Sequence, residues 1–567
     1  MLGDETMRVV IVGGVAGGAS TAARLRRLDE NAEIIIFERT NYISYANCGL
    51  PYYIGDVITD THDLTLQTPE SFHSRFNVDV RVNHEVINID TLNKRVEVKN
   101  LLTSDIDYVG YDKLVLSPGA TPILPPFYHI DKRIMTLRTV EDTFKIKLYV
   151  EGNSPKTAMI IGGGYIGVEL AENLTKLGIE VSIVDMQPQL LNVLDSDMIS
   201  FVHKNVVSKG VKLHLGHAVK EVKVSDRCLT VCLDNGCQID AEVIICAVGV
   251  KPESKLAEMA GLKLGVNGSI IVDEHMQTSN PDIYAVGDAV QVKNIITGED
   301  TLLPLAGPAN KQGRIAADNL CGIDSVYQGS QGTNILQVFD LTVAETGLNE
   351  KVCQKNNICY DKVILSPLSH ASYYPNAKIM TLKLIFNKND YQILGAQIVG
   401  YLGVDKRIDV IATAIKAKMK AYELKDLELA YAPPYSSAKD PVNLAGYIVD
   451  NIKNGLVKQF EYKDLNRLKE EDNILLDTRT KEEYTRGHVE GFINIPLDDL
   501  RVSLDLLPKD KKVYVMCQSG LRSYIATRIL MQNGYDAYNF IGGYRLYSSI
   551  VNDEILAFKS LPCGLEK

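Results

Sequence analysis

Two stretches of this chain repeat one physical design. Residues 8–18 read R-V-V-I-V-G-G-V-A-G-G and run into A-S-T-A-A-R-L-R-R-L, and residues 157–174 read T-A-M-I-I-G-G-G-Y-I-G-V-E-L-A-E-N-L. Each is a short apolar strand, a glycine turn and the start of a helix. A pyrophosphate can reach backbone N–H groups at a helix N-terminus only where no side chain blocks it. Gly162, Gly164 and Gly167 fill a G-x-G-x-x-G pattern. In the first copy Gly13 and Gly18 hold the outer places and Val15 the middle one. About 20 residues on, the next strand of each copy closes on a carboxylate, Glu38 in E-I-I-I-F-E and Asp185 in E-V-S-I-V-D, where it can accept from a ribose diol. One such motif is weak evidence. Two, about 150 residues apart, predict an α/β chain with two dinucleotide-binding folds. Asp185 repels a 2′-phosphate, and neither Met186 nor Gln187 compensates, so NADH is expected over NADPH.

Two more segments extend the pattern. L-V-L-S-P-G-A-T-P (114–122) reads as a strand returning to the edge of the first fold. N-P-D-I-Y-A-V-G-D-A (280–289) ends a strand at Asp288, which can reach a ribityl chain. At 567 residues the chain needs three or four domains. Its net charge of −11 argues against general nucleic-acid binding. No apolar run reaches the length of a membrane span. The opening M-L-G-D-E-T is no export signal, and ten cysteines are too few for a disulfide scaffold, so a reducing cytoplasm is expected.

Y-I-S-Y-A-N-C-G-L-P-Y-Y (42–53) carries one cysteine, Cys48, with Tyr53 where a C-x-x-x-x-C dithiol needs its second thiol. The order of these segments over residues 7–450 resembles the flavoprotein disulfide reductases, and S-Y-A-N-C-G-L-P-Y resembles their single-cysteine branch: NADH peroxidases, NADH oxidases and coenzyme A-disulfide reductases. That resemblance implies an FAD domain (7–115 and 250–330), an NAD(H) domain (116–249) and an α+β dimerisation domain (331–450). It assigns Gly13, Val15, Ala16, Gly18, Glu38, Arg39, Ser117, Gly119, Asp288 and Ala289 to FAD. Gly162, Gly164, Tyr165, Ile166, Gly167, Glu169, Asp185 and Gly249 go to NAD. Cys48 then lies against the flavin, its thiolate favoured if a helix N-terminus points at the sulfur.

Peroxide-using members carry a histidine in the first glycine loop, where this chain has Val15, Ala16 and Gly17. The resemblance therefore leans to the coenzyme A branch and to a homodimer with a shared active site. Tyr373 (H-A-S-Y-Y-P-N-A) and Tyr431 (L-A-Y-A-P-P-Y-S-S) carry over as acids reaching the other subunit's cysteine, with Tyr374 and Tyr435 as rivals. Ser44 and Asn47 match contacts to the pantetheine arm, and Arg24 and Arg27 to its phosphates. His73 stands where the family often has lysine, and Arg75 is the substitute.

After a linker at 451–460 a new unit begins. It contains D-T-R, then G-H-V-E-G-F-I-N-I-P, then V-Y-V-M-C-Q-S-G-L-R-S, in which a strand delivers Cys517 into a six-residue turn ending at Arg522. Backbone N–H groups of such a loop form an anion nest that stabilises a thiolate or persulfide, with Arg522 buttressing it. Residues 461–567 resemble a single-domain α/β rhodanese. Cys228, Cys232 and Cys237 read as a hairpin around D-N-G and not as a zinc site. His214 and His217 read as surface residues, and I-A-T-A-I-K-A-K-M-K-A as an amphipathic helix. The whole resembles an NADH-dependent coenzyme A-disulfide or persulfide reductase fused to a sulfurtransferase. The alternatives are an NADH oxidase or peroxidase and, in another class, a thiol-sensing or sulfur-relay protein.

Overall fold

A computed structural model describes residues 6–559, with side chains to residue 554. The acidic opening and the last residues of the proposed 461–567 domain lie outside the described residues. Two compact units emerge, one of residues 1–186 and 217–331, the other of residues 187–216 and 332–567.

In the first unit, apolar runs buried on both faces become parallel strands. Their order is Ile283–Ala285, Lys113–Leu116, Arg8–Val12, Glu33–Glu38, Asp79–Val82. The 114–122 segment was expected at the sheet's edge. It lies inside, because Lys113–Leu116 pairs on one side with Arg8–Val12 and on the other with Ile283–Ala285, which takes the edge. Helix Ala16–Leu28 packs on helix Ala306–Leu320, and a Cβ on Gly313 would stand 2.6 Å from the Gly17 carbonyl. Only glycine allows this approach.

A second parallel set, Glu180–Asp185, Thr157–Ile161, Val243–Cys246 and Ile134–Thr136, repeats the plan. The chain crosses into it and back through the antiparallel ribbon Ala120–Pro122 and Val250–Pro252. Leu229–Leu233 and Gln238–Ala241 form the hairpin around D-N-G, with Gly236 at φ +86°. His217 is half-buried rather than on the surface, because that turn folds over it: its ring meets Asp234 at 3.2 Å and Asn235 at 3.1 Å.

The second unit holds an antiparallel sheet ordered Asn334–Val338, Leu341–Gly347, Ile393–Gly400, Met380–Asn387, Tyr360–Leu365. Helix Val404–Lys416 buries Ile408, Ile411 and Ile415 against it and ends before the M-K-A of the expected amphipathic stretch. Lys383, fully buried, meets Asp197 at 2.7 Å, Asp195 at 2.9 Å and Glu350. A parallel sheet follows: Gln459–Phe460, Ala537–Phe540, Val513–Met516, Ile474–Asp477, Ile493–Asn494. Among the described residues no helix is long and apolar enough to cross a membrane.

Candidate active site

The two glycine turns share one geometry. Gly13 and Gly162 sit at φ +97° and +110°, a region L side chains avoid. A Cβ on Gly13 would lie 2.1 Å from the Ser117 carbonyl oxygen, and one on Gly162 2.3 Å from that of Ala247. On Gly18 it would lie 1.9 Å from the Gly13 carbonyl, and on Gly167 2.0 Å from that of Gly162. Each loop is thus pressed between strand and helix, leaving the helix N-terminus bare. The acidic residues brace the loops: Glu38 accepts from Gly14 N–H at 2.9 Å and Asp185 from Gly163 N–H at 2.6 Å.

A cleft of about 330 Å³ opens beside the first loop. Gly13, Val15, Glu38, Arg39, Ser117 and Gly119 line it together with Asn47, Tyr45 and Arg138. Ala16 opens the helix behind it. Arg39 faces Glu253 at 3.8 Å, and the Arg138 guanidinium donates to Asp288 at 2.8 Å, next to buried Ala289. A side-chain-free loop over a helix start, a carboxylate at a strand end and a paired Arg–Asp further along suit a dinucleotide such as FAD. The second loop, with Gly164, Tyr165 and Ile166 at its helix start and Gly249 at φ +112°, suits another. Sequence reading missed Arg138, which sits in the ordinary-looking L-R-T-V-E-D and is fixed by tertiary pairing alone.

Cys48 lies in the short turn Asn47–Gly49 that leads into helix Leu50–Ile54. Cys48 forms no disulfide and is exposed. Protein atoms nevertheless crowd the sulfur, and this desolvation pushes the thiol pKa up. The carboxylates of Glu169 and Asp288 push it further, while Arg138 pulls it down. Taken together, these protein groups favour the neutral thiol over the thiolate. Tyr52, also missed from sequence, follows one helical turn after Cys48 and donates to Glu169 at 3.2 Å. Burial pushes the Glu169 carboxyl up to about 7.

Of the proposed coenzyme A contacts, Ser44 is half-buried at φ +44° and Asn47 lines the cleft. Arg24 is engaged by Asp318 at 2.7 Å, whereas Arg27 and Arg75 are exposed. His73 turns its Nδ1 to the Val78 carbonyl at 3.0 Å. In the second unit the Tyr373 and Tyr431 hydroxyls are 2.7 Å apart. Tyr374 instead packs edge-on against His370, and Tyr435 is exposed.

Cys517 leaves strand Val513–Met516 buried, its loop turning at Gly520 (φ +101°) into helix Leu521–Gln532. Its sulfur accepts from Gly520 N–H at 3.1 Å and Ser523 O–H at 3.2 Å. Arg522 pairs with both oxygens of Glu483, at 2.6 and 2.7 Å. Glu483 was not anticipated, although its T-x-x-E capping box with Thr480 is readable in the sequence.

The chain matches three family models: pyridine nucleotide-disulphide oxidoreductase over residues 7–313, the dimerisation domain of that family over 334–441, and a rhodanese-like domain over 461–549. It is 36% identical to the coenzyme A disulfide reductase of Staphylococcus haemolyticus over 441 residues, 78% of this chain and 98% of that one. The crystal structure of reduced Bacillus anthracis CoADR-RHD superposes with a TM-score of 0.94 at 49% identity, covering 97% of this chain and 99% of that one. The NAD-dependent persulfide reductase from A. fulgidus gives a TM-score of 0.90 at 37% identity, covering 95% and 100%. With two glycine cradles, exposed Cys48 at the start of a short helix and buried Cys517 on its own rhodanese-like sheet, the chain belongs to the pyridine nucleotide-disulphide oxidoreductase family.

Proposed function

We propose that this chain is an NADH-linked reductase of coenzyme A disulfide and coenzyme A persulfide, joined to a sulfurtransferase centred on Cys517. The observation that carries the reading is Cys48: an exposed thiol beside the dinucleotide cleft, with Tyr53 where an internal disulfide would need a thiol. Such a thiol completes its redox cycle with an external sulfur. The relatives named for coenzyme A disulfide and persulfide reduction support that choice.

In this reading the Cys48 thiolate attacks the inner sulfur of a coenzyme A persulfide. The S–S bond breaks, hydrosulfide leaves, and a Cys48–coenzyme A mixed disulfide remains. Coenzyme A disulfide gives the same adduct and one free coenzyme A. Gly13, Glu38 and Asp288 would hold FAD, and Gly162 and Asp185 would hold NADH; bound there, they would supply the electron pair needed to reduce this adduct. Because Tyr373 and Tyr431 share one hydrogen bond, one of the two phenols keeps an O–H to donate, and in a homodimer it protonates the thiolate leaving the other subunit's Cys48. Ser44 and Asn47 hold the pantetheine arm, and Arg27 and Arg75 its phosphates. Cys517 carries sulfane sulfur as a persulfide, and fusion keeps it at high effective concentration near its acceptor.

Steady-state NADH consumption with coenzyme A persulfide, coenzyme A disulfide and hydrogen peroxide tests the reading. Turnover with the two coenzyme A substrates and little with peroxide is expected. Peroxide as the best acceptor overturns it in favour of an NADH peroxidase.

A further inference from the structure

The charge around Cys517 bears on which sulfur donor the loop accepts, and this rests on the reading of Cys517 as a sulfur carrier. Arg522 and Arg479 both act on Glu483 beside this loop, and each has a carboxylate partner. Arg522 is gripped by both oxygens of Glu483 at 2.6 and 2.7 Å. Arg479 is held by Asp477 at 2.7 Å and lies over the Tyr544 ring at 3.9 Å. Glu483 is itself pinned, accepting from Thr480 N–H at 2.9 Å. Its pairing with Arg522 holds its carboxyl down at about 2, so it stays ionised across the working range. What the Cys517 sulfur has for itself is one backbone N–H and one hydroxyl, both neutral donors.

The two common classes of donor load this loop differently. Thiolate attack on thiosulfate breaks its S–S bond, leaves a Cys517 persulfide and expels sulfite, so about three negative charges gather at the reacting atoms. Attack on the terminal sulfur of R–S–SH gives the same Cys517 persulfide and expels R–S⁻, with about one. A free guanidinium beside the sulfur favours the first, through a charge-assisted hydrogen bond to the dianion. A guanidinium already neutralised by a carboxylate does not.

We propose that Glu483 is a specificity-determining positioning residue: by holding Arg522 it makes the Cys517 loop select low-charge persulfides over dianionic thiosulfate. The test is kcat/KM of the full chain for sulfur transfer to cyanide from thiosulfate and from glutathione persulfide. Glu483→Gln preserves shape and the cap to Thr480 while removing the charge. It is expected to lower the KM for thiosulfate and raise its kcat/KM about tenfold, while the persulfide value moves less than about twofold. No change, or a parallel change for both donors, overturns the proposal. A second measurement needs no variant: in the unchanged chain, sulfate at matched ionic strength is expected to inhibit persulfide transfer no more than chloride does. Strong competitive inhibition by sulfate overturns the proposal as well. If the unchanged chain transfers sulfur from neither donor, the sulfurtransferase reading itself falls, and this proposal with it.

Discussion

Tyr52 donates a hydrogen bond to Glu169 at 3.2 Å, joining the helix that follows Cys48 to the helix that opens on Gly164. Glu169 is also the leading charge that raises the Cys48 pKa, after desolvation. Glu169→Gln is therefore expected to shift the midpoint of Cys48 alkylation by iodoacetamide to lower pH. An unchanged midpoint breaks the link. The same substitution has a stability signature. The folded pKa of about 7 exceeds the ordinary 4.5, so the native state holds this proton more tightly than the unfolded chain. That stabilisation is present below pH 4.5 and is lost as pH rises through about 7. The variant's melting temperature relative to the unchanged protein is expected to rise between pH 5 and pH 8.

In the proposed mechanism, Cys48→Ser removes the thiol that takes up substrate sulfur. NADH oxidation driven by coenzyme A persulfide is expected to vanish, while the flavin absorbance of the purified protein persists. Full turnover in this variant contradicts the mechanism.

Gly162→Ala places a methyl 2.3 Å from the Ala247 carbonyl oxygen at a φ of +110°. The loop must move off the strand, and its N–H groups lose their aim. We expect NADH affinity to fall at least about tenfold by stopped-flow titration, with about 1–3 kcal/mol lost in stability. Unaltered affinity means that this loop does not hold the nucleotide.

Tyr373→Phe and Tyr431→Phe each delete one hydroxyl of a pair 2.7 Å apart. Each is expected to lower kcat with coenzyme A persulfide by about 10²-fold, and the double variant hardly more, since the pair acts as one acid. Additive losses in a rapid-quench assay argue for independent roles.

Lys383→Met leaves Asp195 and Asp197 without their cation and Glu350 with Lys362 alone. Burial opposes ionisation of Glu350, yet Lys383 and Lys362 hold its carboxyl at about 2, so the site stays charged near neutrality. A loss of about 3–5 kcal/mol in denaturant unfolding is expected, partly relieved at acid pH as the carboxyls protonate. An unchanged midpoint at pH 7 refutes this.

The elements that local physics dictates were legible in the sequence. Strand–glycine–helix units announce themselves because the φ of Gly13 and Gly162 and the close packing of Gly18 and Gly167 exclude other residues. Cys48, Cys517 and the D-N-G hairpin were legible for the same reason. What escaped notice is tertiary. Arg138 becomes part of the cleft only because the chain brings it to Asp288, 150 residues away. Tyr52 finds Glu169 across 117 residues. Neither Arg138 nor Tyr52 carries a local mark. The inner position of Lys113–Leu116 was misread because sheet order depends on a strand about 170 residues later. The carboxylates that converge on Cys48 are tertiary too, whereas the helix start beside it is visible in sequence.

The buried ammonium cluster reaches further than its own sheet. Lys362 bridges Glu350 and Glu461, each at 2.8 Å, and Glu461 is the first residue of the rhodanese-like match. Ser549 and Asp553, midway along helix Gly543–Lys559, bond Ser200 and His203 at 2.9 and 2.7 Å. The rhodanese-like portion is thus no detachable passenger. A chain cut at residue 460 forfeits an anion that Lys362 needs and bares the polar face of helix Ser196–Ser208, so dissecting the two activities calls for point substitutions rather than scissors.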